Sequence, residues 1–471
     1  MGGLQYAGVN GNPTQLGDPS YLRFAPRVGA AWKVNEKTTV RGGYGTFWAP
    51  PVYGQLSAPG YAALTSYVGS TDGGLTPANS LSNPYPNGLA QPIGNIQGLY
   101  TGLGNAVNFY NQSQHSGGYV HQYSVDVQRQ LPGGFNLSVA FVGSLARHLQ
   151  QNAASLNINQ LNPSYFSQGN ALLNLVPNPF FGLTIPFQTG APGFFSSSTI
   201  SQAQLLMPFP EYTTVTEGNI DSARARYQSY VIRVEKRFSG GLSLLAHITA
   251  SKTLDQNTTF GTNFSSTNGF VVQNAYNYDA EYSLAAQNTP RRFVSVVTYE
   301  LPFGKGKKFV NGNRMADYVI GGWQLNLITT IQAGFPLSVN QPNNNAFAGT
   351  AGQRPNTSGT SPSISGSPED KIDQYLNPAA FVLAPAFTFG ATSRTLSDRA
   401  PAANNWDISI FKSVRIKERV TAQFRAESVN VTNHPRFNPP NGLTVGSGQF
   451  GYINSQANFP RFVQLGARIQ W

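Results

Sequence analysis

The strongest indication of the fold is the last stretch of the chain, Phe462-Val463-Gln464-Leu465-Gly466-Ala467-Arg468-Ile469-Gln470-Trp471. Apolar side chains alternate with Gln, Gly and Arg along it, and successive side chains of a strand point to opposite faces. The stretch therefore predicts a strand with one apolar and one polar face. Any antiparallel sheet can contain one such strand, but here the pattern recurs through the chain. Strict alternation that ends on an aromatic residue is typical of an outer-membrane β-barrel.

We predict that the apolar side chains of this final strand face lipid, with Trp471 as an anchor at the membrane interface. Together these side chains form the candidate assembly signal of the barrel, so outer-membrane lipid and the barrel insertion machinery are expected partners. The residues of the signal are Val463, Leu465, Ala467, Ile469 and Trp471.

The composition agrees with a membrane-spanning sheet. Only 11% of the residues are charged, against roughly 25% in ordinary soluble domains. No run of about 18 apolar residues occurs, so a membrane-spanning form of this chain must be a closed sheet and not a helix. The net charge of +11 comes from scattered basic residues, which argues against nucleic acid as a partner.

Alternating stretches come in pairs, most of them joined by a short connection such as Ser239-Gly240-Gly241, a strong turn signal. The connection within the fourth pair, Pro302 to Gly322, is longer and basic. Each strand is predicted to have roughly 9 to 12 residues, about what a tilted strand needs to cross a bilayer. The eleven predicted strands are Arg27–Val34, Thr38–Trp48, Tyr119–Gln128, Phe135–Phe141, Tyr230–Phe238, Leu242–Ile248, Phe293–Leu301, Trp323–Ile331, Trp406–Val414, Val420–Ala426 and Phe462–Trp471.

Short and long connections alternate between these strands, as periplasmic turns and extracellular loops do in outer-membrane barrels. The pattern places the C-terminus and the short turns in the periplasm and five long loops outside. Soluble β-sandwiches favour shorter connections, and propellers or solenoids would show a fixed repeat period. We therefore predict an all-β, antiparallel transmembrane barrel in the cell outer membrane.

The start of the chain and the strand count both predict a portion of a larger barrel. Met1-Gly2-Gly3-Leu4-Gln5-Tyr6 has no basic segment followed by an apolar one, so it is not a signal peptide. Bacterial single-chain barrels have even numbers of strands, whereas eleven is odd. An unpaired strand edge is also not viable in lipid. We expect residues 1–471 to form one C-terminal barrel portion, without a plug or the preceding strands.

Several motifs resemble Oar-like TonB-dependent receptors, and the resemblance covers nearly the whole chain. The motifs are Phe24-Ala25-Pro26-Arg27-Val28-Gly29-Ala30-Ala31-Trp32, Val40-Arg41-Gly42-Gly43-Tyr44-Gly45-Thr46-Phe47, Tyr299-Glu300-Leu301-Pro302-Phe303-Gly304-Lys305-Gly306-Lys307, Gly321-Gly322-Trp323-Gln324-Leu325-Asn326, Asn405-Trp406-Asp407-Ile408-Ser409-Ile410-Phe411-Lys412, Phe424-Arg425-Ala426-Glu427 and Asn433-His434-Pro435-Arg436-Phe437.

The resemblance implies a barrel of 22 strands, an internal plug domain and uptake driven by the TonB complex. The chain would then contribute about 11 C-terminal strands of the 22. Contact with the TonB complex would run through the plug portion, which this sequence lacks. That difference from the family puts transport by residues 1–471 alone in doubt.

No catalytic, cofactor or metal site is predicted. The match to a G-x-G-x-x-G pattern at Gly446–Gly451 lies between two strands and not between a strand and a helix, so it does not indicate nucleotide binding. The five histidines lack metal-ligand spacing. Glu369, Asp370 and Asp373 could ligate Ca²⁺ from a loop, but the EF-hand pattern is absent and solvated acids are the simpler interpretation.

Aromatic residues in the long loops are the remaining functional signal. Together with Asn, Gln and Ser they could bind sugars or peptides, but packing of the loops against each other is the favoured interpretation. The loop aromatics are Tyr53, Tyr61, Tyr67, Tyr85, Phe180, Phe181, Phe194, Phe195, Tyr276, Tyr278 and Tyr282. Polar residues predicted to face the lumen, and to contact a plug or line a ligand path, are Gln122, Asp126, Arg233, Glu235, Arg425 and Glu427.

Two functions of different classes remain open. The first is an outer-membrane TonB-dependent receptor for energy-coupled uptake of an extracellular ligand such as a carbohydrate or peptide. The second is a surface-exposed structural or adhesive barrel without transport. The sequence does not identify the ligand.

Overall fold

The computed structural model describes residues 2–15, 22–48, 59–113, 117–149, 156–186, 193–218, 220–256, 272–310, 314–350, 352–417 and 420–471. One antiparallel sheet dominates, in which each of eleven long strands pairs with its neighbours in sequence. The strands are β1 (Arg27–Asn35), β2 (Thr38–Trp48), β3 (Tyr119–Leu131), β4 (Phe135–Leu149), β5 (Ala223–Ser239), β6 (Leu242–Asp255), β7 (Arg291–Glu300), β8 (Trp323–Gln332), β9 (Ala403–Lys417), β10 (Val420–Val429) and β11 (Phe462–Gln470). All eleven predicted strands are therefore present, and the all-β antiparallel prediction is confirmed.

Five strands are longer than predicted, and the range of 9 to 12 residues is wrong for them. β3, β4, β5, β6 and β9 have 13, 15, 17, 14 and 15 residues. In β4, β5 and β6 the ladder continues toward the long loops, where Ala225 pairs with both Ala146 and Asp255. Asp255 is buried at this end of the sheet, beyond the stretch in which apolar and polar side chains alternate.

The register separates an apolar face from a polar face. Phe424 pairs with Ala467 and Ala426 with Leu465 on the apolar face. One residue further along, Gln423 pairs with Arg468 on the polar face. The apolar face is covered by no other element at its edge, and Leu465 is 77% exposed. This pattern is the one that a sheet facing lipid on one side produces.

Short turns close one end of the sheet. At the turn between β5 and β6, Gly240 and Gly241 have φ values of 58° and 84°, which a two-residue type I′ hairpin requires. The connection between β7 and β8 is longer than the other connections at this end, and it contains an α-helix, Arg314–Ile320. Among the described helices none has the length and hydropathy needed to cross a membrane.

The sheet is open within the described residues. The pairing path runs from β1 to β11, and no ladder between these two strands is present in the described part of the chain. Every residue of β1 and β11 is exposed.

The buried core lies in the five long loops and not in the sheet. In the described part of the chain these loops lie at the end of the sheet opposite the short turns. They connect β2 to β3, β4 to β5, β6 to β7, β8 to β9 and β10 to β11, and are called the first to fifth long loops. Their short strands are Ala106–Phe109 parallel to Thr214–Glu217, Leu175–Pro177 with Thr199–Ser201, Asn356–Thr357 with Phe381–Val382, and Ser283–Leu284 against β6. One α-helix, Gln202–Leu205, and the 3₁₀-helices Gly98–Tyr100, Pro163–Leu173, Gly193–Ser196, Tyr278–Glu281, Glu369–Lys371 and Pro378–Ala380 lie in them, and Pro132–Gly134 forms the β3–β4 turn.

Candidate ligand-binding surface of the long loops

Aromatic side chains hold the first two long loops together. Phe180 and Phe195 stack with ring centroids 5.2 Å apart, and Phe194 contacts Phe195 edge-on at 5.1 Å. The three rings belong to a cluster that includes Tyr212 and Val215. For these phenylalanines the packing interpretation is confirmed, because their rings meet each other inside the loops.

Tyr212 and Asn159 show how polar groups join this core. The Tyr212 hydroxyl donates to the carbonyl of Thr101 at 3.3 Å, which links the second long loop to the first. Burial, reinforced by the nearby Glu211 carboxylate, raises the pKa of Tyr212 to about 12. The Asn159 amide donates to the carbonyls of Phe209 and Tyr212 at 2.8 Å each. Buried backbone groups of the loops are thereby paired, which an irregular segment needs in order to be stable.

A buried network of charges, which we call the loop clamp, joins the third and fourth long loops to the end of β6. It comprises Asp255, Glu281, Arg354 and Arg394. Arg354 Nη1 donates to the two carboxylate oxygens of Glu281 at 3.1 and 2.8 Å. Arg394 pairs with the Asp255 carboxylate, and its Nε donates to the Glu281 carbonyl at 3.1 Å.

Amide and phenol groups complete the surroundings of the loop clamp. Gln273 Oε1 accepts from the backbone N–H of Arg354 at 2.6 Å, and its Nε2 donates to the Gly390 carbonyl at 2.9 Å. The Tyr278 hydroxyl donates to the Gln256 carbonyl at 2.7 Å, and burial raises the pKa of Tyr278. The charged groups are thus hydrogen-bonded as well as paired, the condition under which buried ions persist.

The first long loop instead presents apolar side chains to the outside. Leu64, Leu75 and Leu81 are each at least 85% exposed. Edge-on contacts between Tyr6 and Tyr61 and between Tyr67 and Tyr85, with centroids 5.7 and 6.2 Å apart, connect the loop to itself and to residues near the start of the chain. These exposed leucines are candidate contact residues for a ligand or partner.

Most of the other loop aromatics singled out from the sequence are exposed, and one packs against another side chain. Tyr61, Tyr67, Phe181 and Tyr276 are largely exposed, and Tyr282 stacks under the Arg224 guanidinium at 4.6 Å. Tyr53 lies outside the described residues. The exposed members, with the leucines of the first loop, form the candidate ligand-binding surface.

The six polar residues predicted to face the lumen all lie on the polar face, where one ion pair, hydrogen bonds and a ring contact engage four of them. Arg233 and Glu235 are joined at 2.7 Å. Asp126 accepts from Ser138 Oγ and Gln128 Nε2, both at 2.5 Å. Arg425 lies over the Phe411 ring at 5.0 Å and donates to Gln423 at 2.8 Å. Gln122 and Glu427 occupy the same face by register.

The candidate assembly signal lies on the edge strand β11. Val463, Leu465, Ala467 and Ile469 pair with Ser428, Ala426, Phe424 and Ala422 of β10, all on the apolar face, and Trp471 follows the last paired residue. These positions agree with the predicted lipid-facing side chains. Their role in assembly stays a prediction.

The other sequence signals are brought into no common site. Gly446–Gly451 forms turns, and no helix lies between β10 and β11. Asp370 accepts from the backbone and hydroxyl of Ser367, at 3.0 and 2.8 Å. The described residues contain no group of three His, Asp or Glu side chains that could hold a metal ion.

Sequence reasoning missed the loop clamp. Its members are separated by 73 residues in one ion pair and 139 in the other, so no periodic pattern relates them. Only a weak signal in the sequence pointed to it. Charged residues are rare in this chain, and the four residues of the loop clamp fall in or beside segments with no strand pattern.

Several known proteins are similar to this chain. Residues 1–464 match the family model described as an outer membrane beta barrel domain. Two similar solved structures are the ferripyoverdine receptor of Pseudomonas aeruginosa (12% identity, TM-score 0.39, covering 95% of this chain and 33% of the receptor) and the outer membrane transporter YddB from Escherichia coli (10%, 0.40, 95% and 40%).

A third solved structure, the siderophore receptor PiuA from Acinetobacter baumannii, is 8% identical with a TM-score of 0.38 and covers 94% of this chain and 35% of the receptor. The chain thus spans between a third and two fifths of these three proteins. No curated protein sequence matches it. The match over residues 1–464 shows that the chain belongs to the outer membrane β-barrel domain family and is located in the cell outer membrane.

Proposed function

We propose that this chain is the C-terminal portion of an Oar-like TonB-dependent receptor, contributing about 11 strands to a barrel of 22. The observation that carries the proposal is the open meander of eleven strands, with five long loops at one end and short turns at the other. Strands β1 and β11 each pair with one neighbour in the described part of the chain. Since lipid cannot satisfy a free strand edge, both edges need further strands in the membrane.

The receptor would take up an extracellular ligand, a carbohydrate, a peptide or a similar molecule, through the long loops. The loop clamp and the aromatic cluster support this function, because they hold the loops in one arrangement before a ligand arrives. Preorganised loops bind more tightly, since little ordering entropy is lost on binding. Coupling to the TonB complex would run through a plug portion outside residues 1–471.

The topology of the proposal can be tested with protease sites. Sites inserted near Asn79 or Asn344, in the first and fourth long loops, are expected to be cut on intact cells. Sites near Gly133 or Gly240, in short turns, are expected to be cut only after the outer membrane is opened. Cleavage is read by immunoblotting, and the reverse pattern would show that the long loops face the periplasm.

Transport is tested by uptake of fluorescent oligosaccharide and peptide libraries into cells with the intact gene or a deletion. The proposal predicts uptake that depends on the gene and disappears with a proton uncoupler, because the transport is energy-coupled. Residues 1–471 expressed alone in the deletion strain should show no uncoupler-sensitive uptake. If they do, the portion is itself a transporter and the 22-strand proposal is wrong.

A surface-exposed structural or adhesive barrel is the second candidate function. The exposed leucines of the first long loop favour it, because an apolar outer surface suits a protein partner. Binding of cells to a partner surface, unaffected by the uncoupler and lost on removal of residues 64–89, would support adhesion. An in-frame plug-encoding region upstream of Met1 would instead support the receptor.

A further inference from the structure

A row of basic side chains crosses the apolar face of the sheet at its long-loop end. Arg226, Lys252 and Arg291 lie on the adjacent strands β5, β6 and β7 and are all exposed. Register places them on the same face as Tyr230, Ile248 and Phe293. We call the apolar side chains of this face the apolar belt. We call these three residues the basic row.

The spacing within the basic row follows from the ladder. Leu254 is directly opposite Arg226, and Ala250 is directly opposite Arg291. Lys252 lies two residues from each of these partners and is therefore the diagonal neighbour of both arginines. Diagonal neighbours in a sheet are about 7–8 Å apart, so three positive charges stand at nearly even intervals.

The basic row has no acidic partner among the described residues. In the described part of the chain, no carboxylate forms an ion pair with Arg226, Lys252 or Arg291. Like charges on adjacent strands repel each other. An anion bound from outside would remove that repulsion.

Two lysines at the opposite end of the same face are engaged by other groups of the protein. Lys236 donates to the Gly133 carbonyl and lies 5.0 Å from the Phe135 ring, near the short turn between β3 and β4. Lys412 donates to the Gly321 carbonyl and lies 5.5 Å from the Trp323 ring. The protein itself thus engages these two lysines, whereas no ion pair within the described residues engages the basic row.

The basic row also lies at a defined height relative to the membrane interface. Tyr123, Phe141 and Tyr230 form a line of aromatic rings across β3, β4 and β5, with centroids 6.0 and 5.1 Å apart. Such rings mark the boundary between hydrocarbon and headgroups. Arg226 is four residues further toward the long loops than Tyr230, about 13 Å along an extended strand. It therefore reaches the headgroup layer, where lipid phosphates lie.

We propose that the basic row binds the phosphate groups of a phosphorylated glycolipid in the outer leaflet, with its acyl chains against the apolar belt. The inference rests on the proposed orientation, in which the long loops face outside. Guanidinium and ammonium groups are strong phosphate ligands, and Arg can bind phosphate in a bidentate manner. Charge complementarity and continuity with the lipid-facing surface both favour a lipid over a soluble anion.

The test compares the wild-type protein with the variant R226Q/K252Q/R291Q, both extracted from outer membranes and freed of lipid. Binding of purified lipopolysaccharide is measured by the shift of the folded protein on a native gel. Each cation near an anionic membrane surface contributes roughly fivefold, so the variant is expected to bind about 100-fold more weakly. Wild-type binding should fall to a similar extent with dephosphorylated lipopolysaccharide.

The matched control is R237Q/R292Q/R468Q, which removes three arginines from the polar face and should bind like the wild type. The variant R226K/R291K keeps the charge and should retain most of the binding. It tests the proposal even where R226Q/K252Q/R291Q folds poorly. Equal binding by the glutamine variant and the wild type would overturn the proposal. Equal binding of phosphatidylglycerol vesicles would show a general phosphate site and overturn its glycolipid assignment.

Failure of this proposal is distinguishable from failure of the proposed function. The binding assay does not depend on uptake, so a protein without transport can still bind glycolipid. If the protease sites show the long loops in the periplasm, the basic row faces the inner leaflet and the glycolipid proposal is wrong for that reason alone.

Discussion

Cells expressing the L465D/I469D variant are expected to contain no folded protein in the outer membrane. Both side chains lie on the apolar face of β11, opposite Ala426 and Ala422, and are 77% and 60% exposed. On the lipid face of a barrel a Lys or Arg costs roughly 2–4 kcal/mol near the bilayer midplane; an Asp costs less, and the cost falls toward the interfaces. Two carboxylates on the same strand would therefore cancel a large part of the free energy gained when β11 pairs with β10 in the membrane.

The measurement is the mobility of unboiled samples on a denaturing gel, on which a folded barrel migrates apart from the unfolded chain. The matched control is Q464D/Q470D, which introduces the same charges one residue away on the polar face and should fold. Deletion of Trp471 should reduce insertion as well, since it removes the proposed interfacial anchor. Normal folded mobility of L465D/I469D would show that these side chains do not face lipid.

The second large effect is expected from the loop clamp. The substitution Arg354→Met leaves the Glu281 carboxylate, which is only 1% exposed, without its cationic partner. Removing one member of a buried ion pair costs about 3–5 kcal/mol. We expect backbone amides in residues 272–290 and 352–399 to exchange hydrogen at least about 100-fold faster, while the strands keep their protection.

Hydrogen exchange with mass spectrometry measures this difference segment by segment. The control is Arg224→Met, which breaks the ion pair with Asp279. The two side chains of this pair are 38% and 75% exposed. Surface pairs contribute about 0–1 kcal/mol, so hydrogen exchange should change little in this variant. Adding Glu281→Leu to Arg354→Met should restore much of the protection, since it removes the uncompensated charge. Unchanged exchange in Arg354→Met would mean that other contacts hold the fourth loop.

The strands were predictable because each carries its own evidence. In β10, Ala422, Phe424 and Ala426 alternate with Gln423 and Arg425, and this period of two is set by strand geometry whatever the neighbours are. The turns were predictable for a similar local reason, since Gly240 and Gly241 adopt positive φ values that other residues avoid. Strand order followed as well, because short turns join antiparallel neighbours.

The ends of the strands were less predictable. β6 continues to Asp255, although the apolar alternation stops near Ile248. Its last residues pair with β5, and loops that are distant in sequence bury the final one, Asp255. The alternation in the sequence shows where the apolar side chains of a strand end. Hydrogen bonding to the neighbouring strands determines where the strand itself ends.

The sequence alone determined the antiparallel meander, its two faces and the positions of its turns, because strand periodicity and turn chemistry act over a few residues. Only the tertiary structure decided how the long loops pack, which aromatics become core, and that Glu281 and Arg354 form a buried pair. These contacts join residues far apart in the chain, and their free energy depends on burial. Burial is a property of the folded loops together and of no single segment.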